Sequence, residues 1–275
     1  MTSMLLSIGS FRPFRSFRRP DRAVPPTKSD PEATLSRFFE AYHAGNAPLP
    51  VYLMRGRSLG ALISLGRLPC LRVAPSAEVE GAVIRAKLLY NPAPWRLTGL
   101  ATAVLRLPEK PGRYALGASK QTLRRKVRQA RRLGIRWEEV DDPRERRNLL
   151  KLAADCERTH PDARYRNPDP VIADLLDYRL WLVARAADGR PLLLSVTPVD
   201  GDLAMLHYFR TLGPGEEQSL ARYFMTEVLA ERLVSLGVRH LIDGSNLFWL
   251  PNGLRHFQRM TGFRLIRIRV TRPRS

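Results

Sequence analysis

From Gly134 to the C-terminus, apolar runs of strand length alternate with apolar stripes of helical period. Ile135–Val140 reads as a strand, and Asp141-Asp142-Pro143 opens a helix running to about Glu157, with an aspartate cap and proline in the first turn. A polar loop, Thr159–Pro170, leads into a short helix, Pro170–Tyr178. Leu180–Ala186, Pro191–Pro198 and Leu203–Phe209 read as strands, joined by turns at Asp188-Gly189 and Asp200-Gly201-Asp202 that signal hairpins. Glu216–Leu236 is then one long helix. Leu220, Tyr223, Phe224, Glu227, Val228, Ala230, Glu231, Val234 and Leu236 form its mostly apolar stripe, and Gly237 closes it. A strand at Arg239–Asp243, a helix at Asn252–Thr261 ending on Gly262, and a last strand at Phe263–Val270 complete the order.

The N-terminal half is less legible. Ser29-Asp30-Pro31-Glu32 starts a helix that runs to about Ala44. Val51–Met54, Ala61–Leu65 and Ala101–Leu107 have strand character, and Val79–Tyr90 fits either period. Residues 1–30 hold Arg, Phe and Pro without period and read as a disordered basic arm. The division expected is an arm at 1–30, a mixed segment at 31–118 and a main domain at 119–275.

Composition adds one abnormal feature. The chain has 275 residues, 44% of them hydrophobic, which is ordinary for a globular protein. No apolar run reaches the roughly 18 residues of a membrane span, and Met1–Gly9 lacks the form of a secretory leader. Cys70 and Cys156 show no paired spacing and are expected as reduced, buried thiols of a cytoplasmic protein. The net charge, however, is +20 and the pI about 11.1. Such an excess attracts a polyanion; a genome that favours Arg over Lys accounts for the choice of basic residue but less well for the excess over acids.

The charge is concentrated in a helix expected at Ser119–Leu133. Leu123, Val127 and Ala130 make a narrow apolar seam. Lys120, Arg124, Arg125, Lys126, Arg128, Arg131 and Arg132 cover the rest without a balancing acid. A phosphate-contacting face and a merely solvated face both fit, and the one-sign pattern favours the first. Lys120, Arg124, Arg125, Arg128, Arg131 and Arg132 are therefore candidate nucleic-acid contacts, with tRNA or another polyanion as partner. A second anion site is Arg210-Thr211-Leu212-Gly213-Pro214-Gly215, between a strand and the N-terminus of the long helix. Free backbone N–H groups and the helix dipole converge there, making Arg210, Leu212, Gly213 and Gly215 candidates for holding a phosphate-bearing cofactor; a plain turn is the rival reading. His207, Tyr208 and Asp243 are the proton-handling groups nearest this turn. On one strand His207 and Tyr208 face opposite sides, so at least one packs in the core, and Asp243 also suits a turn or cap. No HExxH motif, no cysteine–histidine metal set, no phosphate loop of the Gx4GK[ST] type and no GxSxG elbow is present, so no metal is expected.

The element order after Gly134, with Arg210-x-x-Gly213-x-Gly215 opening a helix after the fourth strand, resembles the GCN5-related N-acetyltransferase (GNAT) superfamily. Phe257, Gly262 and Phe263 match its closing A-x-x-F-Y-x-x-x-G-F signature, while Gln258 stands where that family often has a tyrosine acid. The segment Leu123–Gly134 and the run Gly253-Leu254-x-x-Phe257 are similar to the Fem-type (FemAB-like) peptidyl transferases. The resemblance covers Ser119–Val270 and implies an α/β (α+β) fold with a mixed, mostly antiparallel central sheet flanked by helices. It leaves room for a reduced GNAT half at the N-terminus. It implies an acyltransferase that moves an acyl group from acyl-CoA to an amine of a small molecule or peptide, or a Fem-like enzyme that uses aminoacyl-tRNA. By the family's pattern, an acceptor pocket falls near the Asp162–Asp169 loop, with Tyr165 and Arg166. Gln258 and the basic helix also admit a non-catalytic nucleic-acid-binding module on the same scaffold.

Overall fold

The computed structural model describes residues 30–44, 57–89, 100–163, 166–244 and 252–271. Among these residues the chain forms helices α1 (Pro31–Ala44), α2 (Arg57–Arg67), α3 (Val79–Leu89), α4 (Gln121–Arg132), α5 (Pro143–Arg158), α6 (Glu216–Ser235) and α7 (Asn252–Thr261). The strands are β1 (Cys70–Val73), β2 (Leu100–Arg106), β3 (Arg136–Glu139), β4 (Leu180–Arg185), β5 (Pro191–Thr197), β6 (Val199–Asp200), β7 (Leu203–Leu206), β8 (Tyr208–Thr211), β9 (His240–Asp243) and β10 (Arg264–Val270). Pro31–Ser275 is one compact unit.

The single central sheet that was expected is replaced by two. One is mixed, in the order β1-β10-β2-β9-β7-β6; the other is antiparallel, in the order β3-β4-β5-β8. The division arises within Leu203–Phe209, which was expected as one strand. Its first part, β7, runs parallel to β9, with Leu206 opposite Asp243. A bend at His207 then carries the chain to the other sheet, where β8 pairs with β5, Tyr208 opposite Val196. Two adjacent strands of one run thus belong to different sheets, and the backbone parts at His207.

The strands of the four-stranded sheet explain its place. β4 and β5 are nearly continuous apolar runs, as strands covered on both faces are. Leu180, Leu182 and Ala184 turn toward the layer that holds α4 and α6, and Trp181 and Val183 toward the layer that holds α5. Helix α6 is apolar around most of its circumference, with Leu220, Ala221, Phe224, Met225, Leu229 and Leu233 all buried, because α4 covers one side and the sheet another. The six-stranded sheet is covered on its other face by Ile84 and Leu88 of α3.

Several local expectations need correction. Ala61–Leu65 is part of α2, where Ala61, Ser64 and Leu65 are buried at helical spacing; five apolar residues are too few to separate the two periods. The segment read as Val79–Tyr90 forms helix α3 over Val79–Leu89, with Tyr90 outside the described residues, and β1 was missed because its four residues alternate too briefly. Val51–Met54 lies outside the described residues. Cys70 is exposed and Cys156 half-buried, so neither is the buried thiol expected, although both are free. The hairpin turns, the Asp142–Pro143 helix start and the Gly237 stop are as read: Asp142 accepts from the Arg144 N–H at 3.0 Å, and Gly189, Gly201 and Gly237 all have positive φ.

Candidate functional site

The parting of the sheets at His207 gathers most of the titratable groups that were not foreseen. His207 Nε2 lies 2.9 Å from Asp174 Oδ2, and the same oxygen accepts the Tyr178 hydroxyl at 3.0 Å. The His207 and Tyr178 rings meet edge to face at 5.1 Å. Burial and the Asp174 carboxylate push the Tyr178 phenol well above its ordinary range, so it stays a donor to Asp174. Asp174, itself half exposed, holds one imidazole nitrogen. Nδ1, the other nitrogen, carries no protein hydrogen bond among the described residues.

Tyr208 joins a second group. Its hydroxyl donates to Glu157 Oε1 at 3.1 Å, and Arg210 Nη1 lies 3.4 Å from that oxygen. Asn167 Nδ2 donates to Oε2 of the same carboxylate at 3.4 Å, and the Asn167 N–H to the Glu157 carbonyl at 3.0 Å. Burial, then the Glu157 charge, raises the Tyr208 phenol far above its usual value, a shift that Arg210 partly offsets. The bend at His207 resets the strand alternation. His207 and Tyr208 do not face opposite sides: Tyr208 packs in the cluster that contains Tyr178, and His207 touches Tyr178 from its edge.

Asp243 ends β9 beside Leu206, but its buried carboxylate is turned toward α7, where Gln258 Nε2 donates to it. Asp174, rather than Asp243, is the carboxylate that pairs with His207. Gln258, the residue in place of the expected tyrosine, is therefore a buried link between α7 and the end of β9. In the 162–169 loop Arg166 donates to the His160 carbonyl at 3.0 Å, and Tyr165 lies outside the described residues.

The turn before α6 is built differently from an open cradle. Gly213 and Gly215 take φ of +100° and +141°, which explains glycine at both places. Leu212 is buried in the core, and Arg210 is engaged by Glu157. The side chain of Gln218 occupies the inside of the turn. With its amide turned to suit its neighbours, it donates to the Pro214 carbonyl (3.2 Å) and accepts from Arg190 Nη1 (3.1 Å). A Cβ on Gly215 would lie 2.5 Å from the end of the Gln218 amide. The first turn of α6 also carries Glu216 and Glu217. Glu216 accepts from Gln129 at 3.1 Å and Glu217 from Arg190 at 2.6 Å. The chain's own carboxylates thus meet the positive end of the dipole and oppose a further anion.

Helix α4 has the seam expected, with Leu123, Val127 and Ala130 buried. Its basic residues divide by role. Lys120 turns inward: its ammonium donates to the Thr261 carbonyl and lies 4.1 Å from the Tyr114 ring centre. Burial, then the charge of Arg264, lowers its pKa to about 8. Arg124 donates to the carbonyls of Ala115 (2.8 Å) and Gly117 (2.6 Å), and Arg131 pairs with Glu227 at 3.1 Å. Arg125, Arg128 and Arg132 are exposed and have no acidic partner among the described residues. Lys120 is thus turned away from the exposed basic face of α4, and Arg124 and Arg131 are engaged within the chain.

Three residues that carry these networks were not singled out in the sequence. Glu157 had a visible signal, a lone acid in register with Leu149, Leu150, Ala153 and Ala154 on the buried face of α5. Asp174 and Tyr178 had a weaker one, four residues apart in a segment read only as a short helix.

No family model and no curated protein matches the chain. Among solved structures it resembles the C-terminal domain (DUF2156) of a protein described as a lysylphosphatidylglycerol synthetase from Agrobacterium fabrum, at 19% identity and a TM-score of 0.48, over 61% of this chain and 57% of that one. It also resembles L-PGS from Bacillus licheniformis, at 13% identity and a TM-score of 0.46, over 62% of this chain and 60% of that one. The chain spans less than two thirds of either. These neighbours are neither GNAT nor Fem-type proteins, and the resemblance drawn from the glycine turn and the closing helix is corrected accordingly. The short motifs behind it have internal uses here: Gln218 fills the glycine turn, and Gln258 binds Asp243.

Proposed function

We propose that the chain is an aminoacyl transferase that takes an aminoacyl group from tRNA and passes it to an amine or hydroxyl acceptor. The observation that carries this reading is the contrast in charge around α6. Its N-terminus, where the phosphates of an acyl-CoA would sit, is already met by Glu216 and Glu217, whereas Arg125, Arg128 and Arg132 on the adjoining α4 have no acid to answer them among the described residues. A nucleic-acid donor matches the second surface, and the net charge of +20 supports it.

The chemistry falls to the groups at the sheet parting. The acceptor's oxygen or nitrogen attacks the ester carbonyl of the aminoacyl group, the bond to the terminal ribose oxygen breaks, and the acceptor's proton must reach that oxygen. His207, held through Nε2 by Asp174, has Nδ1 for this transfer. Asp174 stabilises the imidazolium while it carries the proton, and the Tyr178 hydroxyl fixes Asp174. Arg210 and Tyr208 hold the Glu157 carboxylate beside this path.

The test is transfer of radiolabelled amino acid from charged tRNA by the full chain, with phosphatidylglycerol vesicles and a peptide amine as separate acceptors. His207→Gln is expected to slow transfer by about 10²–10³-fold, the usual range for loss of a general acid–base group, while leaving tRNA binding intact. Binding of tRNA without transfer to either acceptor points to a non-catalytic module. Binding of acetyl-CoA with no affinity for tRNA overturns the proposal and restores the acyl-CoA reading.

A further inference from the structure

Arg255 on α7 is 8% exposed, and all three of its guanidinium nitrogens are buried without a hydrogen-bond partner. A guanidinium has five N–H donors and remains charged, so burying it unpaired is strongly unfavourable unless an acceptor is supplied. Its neighbours supply none. The Phe39 ring of α1 faces it at 4.9 Å, a favourable contact that takes up no N–H. Glu40 acts on it only through its charge and makes no ion pair with it. The other buried ionic groups among the described residues are bonded; Glu157 and Glu80, for example, each hold two or more donors.

Arg255 also lines a cleft between α1 and α7. Its floor is Ala103, Phe263 and Leu265. Glu32, Ser36 and Glu40 of α1, four residues apart and so on one helix face, form one wall. His256, Gln258 and Arg259, followed by Arg264, complete the other. Oxyanion-binding groups thus stand across from carboxylates, an arrangement that disfavours a bare polyanion and suits a small molecule with both signs of charge.

We infer that this cleft binds a small zwitterion, its oxyanion on Arg255 and its ammonium toward the acidic face of α1. The oxyanion is a carboxylate or a phosphate, and both fit the guanidinium fork. The inference is independent of the transferase reading, since it uses neither His207 nor the basic face of α4. Gln258 lines the cleft and also donates to Asp243, so an occupant would press on the end of β9.

Calorimetric titration and thermal melting of the full chain test this with four probes: glycine and acetate for the carboxylate source, phosphoethanolamine and inorganic phosphate for the phosphate source. At least one zwitterion should bind and raise Tm, at least about tenfold more tightly than the bare anion of its pair; the better pair identifies the oxyanion. Arg255→Met should melt at or above the native temperature without ligand, because it removes an unanswered buried charge, and should lose the probe-induced rise. Glu40→Gln, a change at an exposed position, should keep anion binding but narrow the preference for the zwitterion. Four probes without effect, equal effects on native protein and Arg255→Met, bare anions as tight as zwitterions, or a marked fall in the Tm of Arg255→Met would each overturn the inference.

Discussion

The N-terminus of α6 and the outer face of α4 belong to helices packed against each other, and both have the features of an anion site. At α6 these are glycines at positive φ, a helix dipole and backbone N–H groups; at α4 they are arginines along one face. They differ in what answers the charge. At α6 the chain does so itself, with Glu216 and Glu217 on the first turn and the Gln218 amide inside the loop. On α4 the Ala115 and Gly117 carbonyls take Arg124 and Glu227 takes Arg131, while Arg125, Arg128 and Arg132 have no acidic partner among the described residues. A local motif states that charge is present, and only the surrounding side chains state whether any is left for a ligand.

The largest effect should come from the surface with charge to spare. Reversing Arg125, Arg128 and Arg132 to Glu is expected to weaken tRNA binding at low salt by at least about a hundredfold. It should also flatten the plot of log K against log salt by about two to three units, close to one per lost phosphate contact. These side chains are exposed, so Tm should hardly move. An unchanged salt slope would remove α4 as the contact face and break the comparison.

Lys120 tests the same idea inside the molecule. Its charge is only partly answered, by one carbonyl and the Tyr114 ring, with Arg264 nearby. Its pKa is about 8 in the folded chain against an ordinary 10.5. Below pH 8 both states hold the proton and stability is flat. From about pH 8 the folded chain releases it while the unfolded chain keeps it, so stability rises with pH, by at most about 1.4 kcal/mol per pH unit, the limit for one proton. Above about pH 10 the order reverses, because the phenols of Tyr114, Tyr178 and Tyr208 ionise first in the unfolded chain. Urea denaturation across pH 7–11 should show a maximum near 10, and Lys120→Met should abolish the rise and keep the fall. A native curve that is flat from pH 8 to 10 would mean that the ammonium is fully answered.

How much of this could be read from the chain follows from range. The Gly237 stop, the Asp142–Pro143 start and the hairpin turns are set within four or five residues, and the sequence shows them. The buried seam of α4 is also local. The passage of Leu203–Thr211 from one sheet to the other is not, because nothing in Leu-His-Tyr marks the partners, β9 for one half and β5 for the other. His207 was named, but Asp174, 33 residues away, was not, since a pairing across that distance leaves no period. Lys120 shows the same limit in reverse. It belongs by composition to the basic face, yet Gly262 and Thr261, about 140 residues on, draw it inward.

The smallest effect bears most directly on the turn before α6. Glu216→Gln with Glu217→Gln removes the two carboxylates at the dipole's positive end. Each is worth about 0.3–1 kcal/mol there, so the double variant should lose about 1 kcal/mol and melt a few degrees lower. Arg190 then loses its partner and faces the turn as a free cation. Inorganic pyrophosphate, which should bind the native chain weakly at this point, is expected to bind the variant several-fold more tightly and to recover part of the lost Tm. Gln218 still fills the loop, however, so the gain should stay modest unless Gln218→Ala is added. If native protein and double variant bound pyrophosphate equally, the acids would not be what closes the site. The steric plug of Gln218 would then be the whole cause, and the contrast between the two surfaces would rest on shape instead of charge.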